Sequence, residues 1–540
     1  MYFACRLIVL PALAGWLSAA ADFDVLIRGA RIVDGSGNPW FVADIGIRGD
    51  TISAIGKLDG RTAGLEIQAR GLTAVPGFLD IHSHGRRGIF EQPAAENYIR
   101  QGVTTIIEGP DGSSPFPVGE FLEKLSRTPI AVNFGMFVGQ GTIRSRVLGL
   151  ENRRATPEEI QKMEALVEQA MREGAFGLSA GLFYVPGNYT PTEELVTLAR
   201  AVARFGGIYI AHIRDEAAGV VESVNETIRI GEEARLPVQV THHKIIGRAN
   251  WGKSAETLRR IEEARTQGVD VTVDQYPYTA TSTGTAALFP QWAQEGGQAE
   301  LVKRLQDPAL RGRIRKEVAY RILHDRGAGD PANVVMAYCG FDPSLAGKDL
   351  ARITRERGRE VTAETAAETA VEIQMEGGCS AIYHAVSEED VERILRAPFT
   401  MVASDGEIPA FGRGAPHPRS YGTFARVLAR YVRERKLLGF EEAVRRMSSL
   451  PAARLGLWDR GLLRPGMKAD LALLDPEAVA DRATFQEPHQ YAAGVRHVLV
   501  NGKAVLLEGA MTQERPGRVL YGPGYPSGRP DRQAGPTSRR

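Results

Sequence analysis

The sequence predicts an α/β protein. It reads as a (β/α)8 TIM barrel over residues 73–456, with a small β-sandwich domain built from the N- and C-terminal segments, residues 22–72 and 457–510. Three observations predict this. Between Thr73 and Gly456 the pattern strand, loop, helix recurs, as in parallel α/β folds. At both ends the pattern is instead short strands separated by turn residues. Histidines and carboxylates fall at the C-terminal ends of strand candidates, the face on which such barrels carry chemistry.

The chain begins with MYFACRLIVLPALAGWLSAAA. A positive charge at Arg6, an apolar run from Leu7 to Leu17 and small residues at Ser18–Ala21 form the pattern of a secretory signal peptide. The run is shorter than the roughly 20 apolar residues that a spanning helix needs. Residues 1–21 are therefore expected to be removed near Ala20–Ala21, leaving an exported, periplasmic or secreted protein with no membrane segment. In the next stretch, DVLIRGARIVDG and FVADIGIRGDTISAIG alternate apolar and polar residues and end in turn residues. Their counterparts near the C-terminus are GLLRPGMKADLALLD and VRHVLVNGKAVLLEG.

The barrel strands are read in AVPGFLDI, VTTIIEG, PIAVNFGMFVG, AFGLSAGLFY, GIYIAHI, LPVQVTHH, VDVTVDQYPY and FTMVASD. Helices fall between them. PEEIQKMEALVEQAMREG, for example, has apolar residues at helical spacing between a proline start and a glycine stop. A charged stretch at about 290–361 interrupts the alternation and is read as an inserted subdomain or lid. The tail 511–540 is rich in Gly, Pro and Arg, and its last part is expected to be disordered.

Of 540 residues, 43% are hydrophobic and 24% charged, enough apolar sequence for a sizeable core. The net charge of +1 argues against a general nucleic-acid binder. The 3 cysteines, Cys5, Cys339 and Cys379, form no CxxC. Neither a zinc ribbon nor a disulfide framework is indicated; of the two states open to Cys339 and Cys379, a disulfide or two buried thiols, the thiols are expected.

The chemistry centres on TAVPGFLDIHSHG, residues 73–85. His82 and His84, two apart at a strand end, project to one face and can share one metal ion. His212 ends GIYIAHI, His242 and His243 end LPVQVTHH, Asp405 ends FTMVASD and Glu108 ends VTTIIE. Imidazole and carboxylate are the ligand set of zinc and similar divalent ions, and barrel strands converge at the face these residues occupy.

PGFLDIHSHG, AHIRDE, THHK, DQYPY and ASDG, in that order, resemble the amidohydrolase superfamily. With GLSAGLFYVPG, VDQYPYTATST, HPRSYGTFARVL and the C-terminal ADLALLDP, nearly the whole mature chain is similar to the N-acyl-D-amino-acid deacylases (D-aminoacylases). The resemblance implies a metal-dependent amide hydrolase with one or two divalent metals, zinc first among them. Carried over, the ligands are His82, His84, His212, His242 and Asp405, while His243 is left structural. Known members supply a cysteine from a GNCG segment; here the segment is GPDG, with Asp111 at the cysteine position. Either carboxylate, Asp111 or Glu108, can take the cysteine's place and bridge two metals, and Glu108 is favoured because it sits at the strand end.

An unactivated amide needs a strong nucleophile, a polarised carbonyl and a proton for the leaving amine. A divalent metal serves the first two, and Asp405 is assigned the proton transfers. Lys244 is the expected partner of the substrate α-carboxylate, and the resemblance adds Tyr184, Tyr276 and Ser282; Arg214 and Arg419 are further cationic candidates. The substrate expected is a small N-acyl-D-amino acid, or a dipeptide with a C-terminal D-residue. A cyclic amide hydrolase of the dihydropyrimidinase or dihydroorotase type is the alternative. Such enzymes carry a carbamylated lysine on strand four, and AFGLSAGLFY has none. A non-catalytic descendant would tend to lose ligands that this chain keeps.

Overall fold

The computed structural model describes residues 21–526. The signal-peptide expectation for residues 1–20 and the disorder expected at 527–540 lie outside the described residues. Eight parallel strands form the barrel: Phe78–Asp80, Val103–Glu108, Asn133–Met136, Gly177–Gly181, Ile208–His212, Val238–Val240, Val271–Gln275 and Thr400–Val402. The ring closes between the first and the last. Asp405 N–H donates to the His82 carbonyl at 2.8 Å, and His84 N–H to the Gly406 carbonyl at 2.7 Å. This closure draws residues 82–84 and 405 together although 321 positions separate them.

Strand alternation sorts the side chains. Ile208 and Ile210 share an interior cluster with Leu79, Ile81, Ile107 and Met401. Tyr209 and Ala211 face outward into the larger cluster formed with the helices. The helix Pro157–Glu173 shows why the local sequence folds as it does. Thr156 caps its N-terminus in a capping box with Glu159, Pro157 opens it, and Gly174 ends it at φ 112°. Its buried residues, Met163, Val167, Ala170 and Met171, form one stripe.

The terminal segments build a single nine-stranded sheet, with Thr73–Pro76 and Leu471–Leu474 joining the N-terminal part to the C-terminal part. Ile27, Ile47, Ile52, Ala74, Leu471 and Leu499 share one core, as a sheet curved around its apolar face requires. The sheet domain takes in Thr73–Pro76 and runs through Ala510–Met511, so the barrel begins at Phe78. Gly77 marks the change: a Cβ there would meet the Thr104 side chain at 2.2 Å. The tail beyond Met511 lies against the third barrel strand, where Leu520 N–H donates to the Phe134 carbonyl at 2.8 Å.

The insertion is larger than its charged sequence suggests. It starts at Thr281, directly after the seventh barrel strand, and its three-stranded antiparallel sheet combines Thr281–Gly284, Cys379–Tyr383 and Val334–Cys339. Helices that include Pro308–His324 and Ala363–Met375 pack on it around a separate apolar core. Cys339 and Cys379 are paired across the two strands as a disulfide, with Cα atoms 4.4 Å apart. This corrects the expectation of two thiols. Register places the two cysteines opposite each other, and a separation of 40 residues concealed that in the sequence.

Candidate metal centre and active site

Five of the eight strand ends deliver a donor. His82 and His84 follow the first strand, His212 ends the fifth, His242 follows the sixth and Asp405 follows the eighth. The donor at the second strand is Asp111, three residues past its end. Gly109 at φ 84°, Asp111 at 58° and Gly112 at 74° turn the chain back over the barrel mouth. Ser179 on the fourth strand pins this turn: its hydroxyl donates to the Gly109 carbonyl and accepts from Gly112 N–H at 3.2 Å.

Two donor sets result, His82–His84–Asp111–Asp405 and Asp111–His212–His242, the atoms of each within 4.8 Å of one another. Asp111 belongs to both through different oxygens. Its Oδ2 is 3.6 Å from His82 Nε2 and 3.4 Å from His84 Nε2, while its Oδ1 is 3.2 Å from His242 Nε2 and 3.7 Å from His212 Nδ1. Asp405 Oδ1 lies 3.1 Å from His84 Nε2. His82 Nε2 and Asp111 Oδ1 are buried without a hydrogen-bond partner. Such orphaned groups are costly unless a ligand completes them. Buried imidazoles converging with carboxylates fit one divalent ion, or two ions sharing Asp111.

Glu108 does not join either set. Its Oε2 accepts the Arg86 N–H at 2.8 Å and its Oε1 lies 3.5 Å from Arg86 Nε, so it braces the loop after His84. The sequence reading that favoured Glu108 assumed that a strand-end carboxylate points into the mouth. The Gly109–Gly112 turn instead carries Asp111 there and leaves Glu108 on the loop side.

Behind the donors lie groups the sequence reading missed. Glu216 contacts both later histidines, its Oε1 3.4 Å from His242 Nδ1 and its Oε2 3.7 Å from His212 Nε2. Burial opposes its charge, but Lys244, His212 and His242 hold its carboxyl down at about 2. Asp274 accepts the His242 N–H at 2.8 Å and lies 3.5 Å from His82 Nδ1. The spacing of Glu216 four residues after His212 was the available signal. His243 turns away to Thr257 Oγ1 at 2.8 Å.

A cavity of about 980 Å³ opens over the donors, lined among others by Lys244, Tyr184, Tyr276, Ser282 and Arg419. The three protons of Lys244 are taken up by Glu216 Oε1, His242 Nδ1 and the His242 carbonyl. Tyr276 has a buried hydroxyl without a partner, and Arg419 stacks 4.8 Å above its ring. Tyr184 meets Thr283 Oγ1 at 3.1 Å, and its ring centre is 4.7 Å from that of His212. Arg419 Nη1 holds Asp405 Oδ2 at 2.8 Å. Burial disfavours the charge of Asp405, but Arg419 and His82 outweigh it and keep the carboxyl well below the usual carboxylate range. Arg214 is outside the cavity, paired with Glu226 at 2.7 Å and with the carbonyls of Asn188 and Thr190.

A closed barrel with imidazoles and aspartates converging at its C-terminal mouth defines a metal-dependent barrel hydrolase. Residues 65–506 match the amidohydrolase family, and the chain belongs to it. It is 38% identical to D-aminoacylase of Alcaligenes xylosoxydans xylosoxydans, over 93% of this chain and 98% of that protein. Its structure resembles the crystal structure of D-aminoacylase with a TM-score of 0.80 and 36% identity, covering 92% of this chain and all of the other. It also resembles N-acyl-D-glutamate deacylase from Bordetella bronchiseptica, complexed with zinc and a phosphonate mimic of the tetrahedral intermediate. There the TM-score is 0.79 and the identity 34%, over 92% of this chain and 99% of the other.

Proposed function

We propose that the protein hydrolyses the amide bond of N-acyl-D-amino acids, releasing a carboxylate and a free D-amino acid. The observation that carries this reading is the two-set donor centre joined by Asp111, at the floor of a cavity, in a chain similar to D-aminoacylase over nearly its whole length. His82, His84, Asp111, His212, His242 and Asp405 would hold the metal, zinc or a similar divalent ion. Bound there, the ion supplies Lewis acidity, lowering the pKa of water towards ~7 and drawing charge from the scissile carbonyl.

The remaining steps fall to the chain. Asp405, kept ionised by Arg419, accepts a proton from the attacking water. The same carboxyl then passes the proton to the leaving nitrogen. Tyr276 and Ser282, with the positive charges of Lys244 and Arg419 beside them, receive the α-carboxylate, and Tyr184 flanks it. Lys244 acts there as a charge held in place by Glu216. The cyclic-amide alternative loses support because the fourth barrel strand, Gly177–Gly181, offers no lysine and the shared carboxylate comes from Asp111 instead.

Export of the mature protein is part of this proposal. Its support is the leader pattern of residues 1–21 and the Cys339–Cys379 disulfide, a bond that persists in oxidising compartments. Among the described residues no helix is long and apolar enough to cross a membrane.

The test is release of amino acid by zinc-loaded protein from paired N-acetyl-D- and N-acetyl-L-amino acids. Turnover confined to the D series, and lowered by about 10³-fold or more in Asp405→Asn, is expected. Turnover of neither series would remove the reading.

A further inference from the structure

Among the described residues, Arg326 is the one buried cation of the cavity wall that the proposed chemistry leaves without a task. It follows the helix Pro308–His324 of the insertion and is 2% exposed, yet it lines the cavity. Among the described residues its guanidinium meets no hydrogen-bond acceptor, and its Nε is fully buried without a partner. Its nearest carboxylate oxygen is Glu216 Oε2, 3.8 Å from Nη2 and so beyond hydrogen-bond reach. The guanidinium carbon lies 4.4 Å from the centre of the Phe183 ring and 5.7 Å from that of Tyr383.

Charge counting sharpens the point. Glu216 already answers the ammonium of Lys244, and Asp325 the guanidinium of Arg321 at 3.5 Å, so two carboxylates stand among three cations. A buried charge without a hydrogen-bonded partner is strongly unfavourable. A planar fork of donors with no acceptor is suited to a carboxylate taken edge-on. The α-carboxylate has other partners in Tyr276, Ser282 and Arg419, on the Asp405 side of the cavity. Arg326 instead lies beside Glu216 and over Phe183, whose ring neighbours those of Tyr184 and His212.

The geometry points to Arg326 as the receptor for a second carboxylate of the substrate, the acidic side chain of a D-glutamate or D-aspartate residue. The inference rests on the deacylase reading and adds the substrate class. A dicarboxylic residue would offer one carboxylate to Arg419 and the other to Arg326, both of which line the cavity. The insertion then selects substrates by supplying this cation to a barrel that supplies the chemistry.

The experiment compares N-acetyl-D-glutamate with the neutral isostere N-acetyl-D-glutamine on the zinc-loaded mature protein, with N-acetyl-D-leucine as a third substrate. The wild type should favour glutamate over glutamine in kcat/KM by at least about tenfold. Arg326→Gln should bring that ratio to about one, chiefly through KM, and Arg326→Lys should retain part of it. Calorimetric binding of D-glutamate and D-glutamine gives a readout independent of turnover, and Arg326→Gln should weaken only the former. A wild type that favours glutamine or leucine overturns the inference and leaves the deacylase reading standing. So does a variant that loses glutamate and glutamine turnover in proportion, since a structural arginine would act on both alike. A wild type that hydrolyses none of the three removes both.

Discussion

Asp111 is the residue on which the two donor sets depend, and its removal is the sharpest test of the centre. Asp111→Gly is the informative change because position 111 sits at φ 58°, where glycine is at ease and alanine is strained. The variant therefore deletes the carboxylate without disturbing the turn that Ser179 holds. Counting donors, the set with His82, His84 and Asp405 drops from four to three, and the set with His212 and His242 drops from three to two. Two neutral imidazoles are a poor site, so a second metal should be lost outright. At the three-donor set, losing a buried charged partner costs about 3–5 kcal/mol, or roughly 10²–10⁴-fold in metal affinity. The assay is metal content after dialysis, followed by titration against a competing chelator. Glu108→Gln is the counterpart; it should keep metal stoichiometry and affinity, since Glu108 touches only Arg86 among the charged groups near the site. Unchanged binding in Asp111→Gly with lost binding in Glu108→Gln would refute the assignment.

Two further outcomes concern stability. Replacing Cys339 and Cys379 by serine opens a loop of 40 residues, which in the chain-entropy treatment removes up to about 4 kcal/mol; the insertion should unfold at lower temperature than the barrel in a calorimetric scan, and coincident melting at the wild-type temperature would contradict this. His417 should make stability fall as pH drops below the ordinary histidine value of about 6.5. Its Nδ1 accepts from Arg419 N–H at 3.0 Å and its Nε2 lies 3.0 Å from the Ala280 carbonyl, so the native ring is neutral. Burial and the charge of Arg419 push its pKa well below the usual value. The unfolded chain therefore binds the proton first, and the effect grows from about pH 6.5 downward until the native ring also protonates, at up to about 1.4 kcal/mol per unit. Denaturant unfolding of the wild type and His417→Gln between pH 7 and 5 reads the difference; equal slopes would show that this ring does not titrate on unfolding.

Much of the fold was legible because the barrel strands are short apolar runs with turn signals after them. The histidines were legible for the same reason, since strand ends converge. Asp111 was harder. Its place depends on a turn with three left-handed positions, Gly109, Asp111 and Gly112, around Pro110, and periodicity carries no information about where such a turn aims a side chain. The start of the insertion was missed because Thr281–Gly284, a short polar strand, resembles the loop that ordinarily follows a barrel strand. The disulfide, Glu216 and Arg326 were hidden for a common reason: each acquires its partner or its isolation only through tertiary packing. Alternation places Lys244 on the site face as a partner for the substrate carboxylate, which says nothing about Glu216 already holding it.

The backbone conformation of the donors ties fold to function more closely than their identity does. Asp111, His242 and Asp405 have φ of 58°, 35° and 51°, a region that costs a non-glycine residue of order 1–3 kcal/mol. Each is held there by the barrel. Asp405 N–H is fixed by the His82 carbonyl and His242 N–H by Asp274 Oδ1, while Gly112 N–H after Asp111 is fixed by Ser179. These anchors belong to different strands, so the strain is sustained by closure of the ring and not by any one segment. A chain that merely kept the fold would relax these positions to glycine or asparagine at a gain in stability. Keeping aspartate and histidine in left-handed turns, with buried atoms that lack partners, is what a barrel organised around an ion requires.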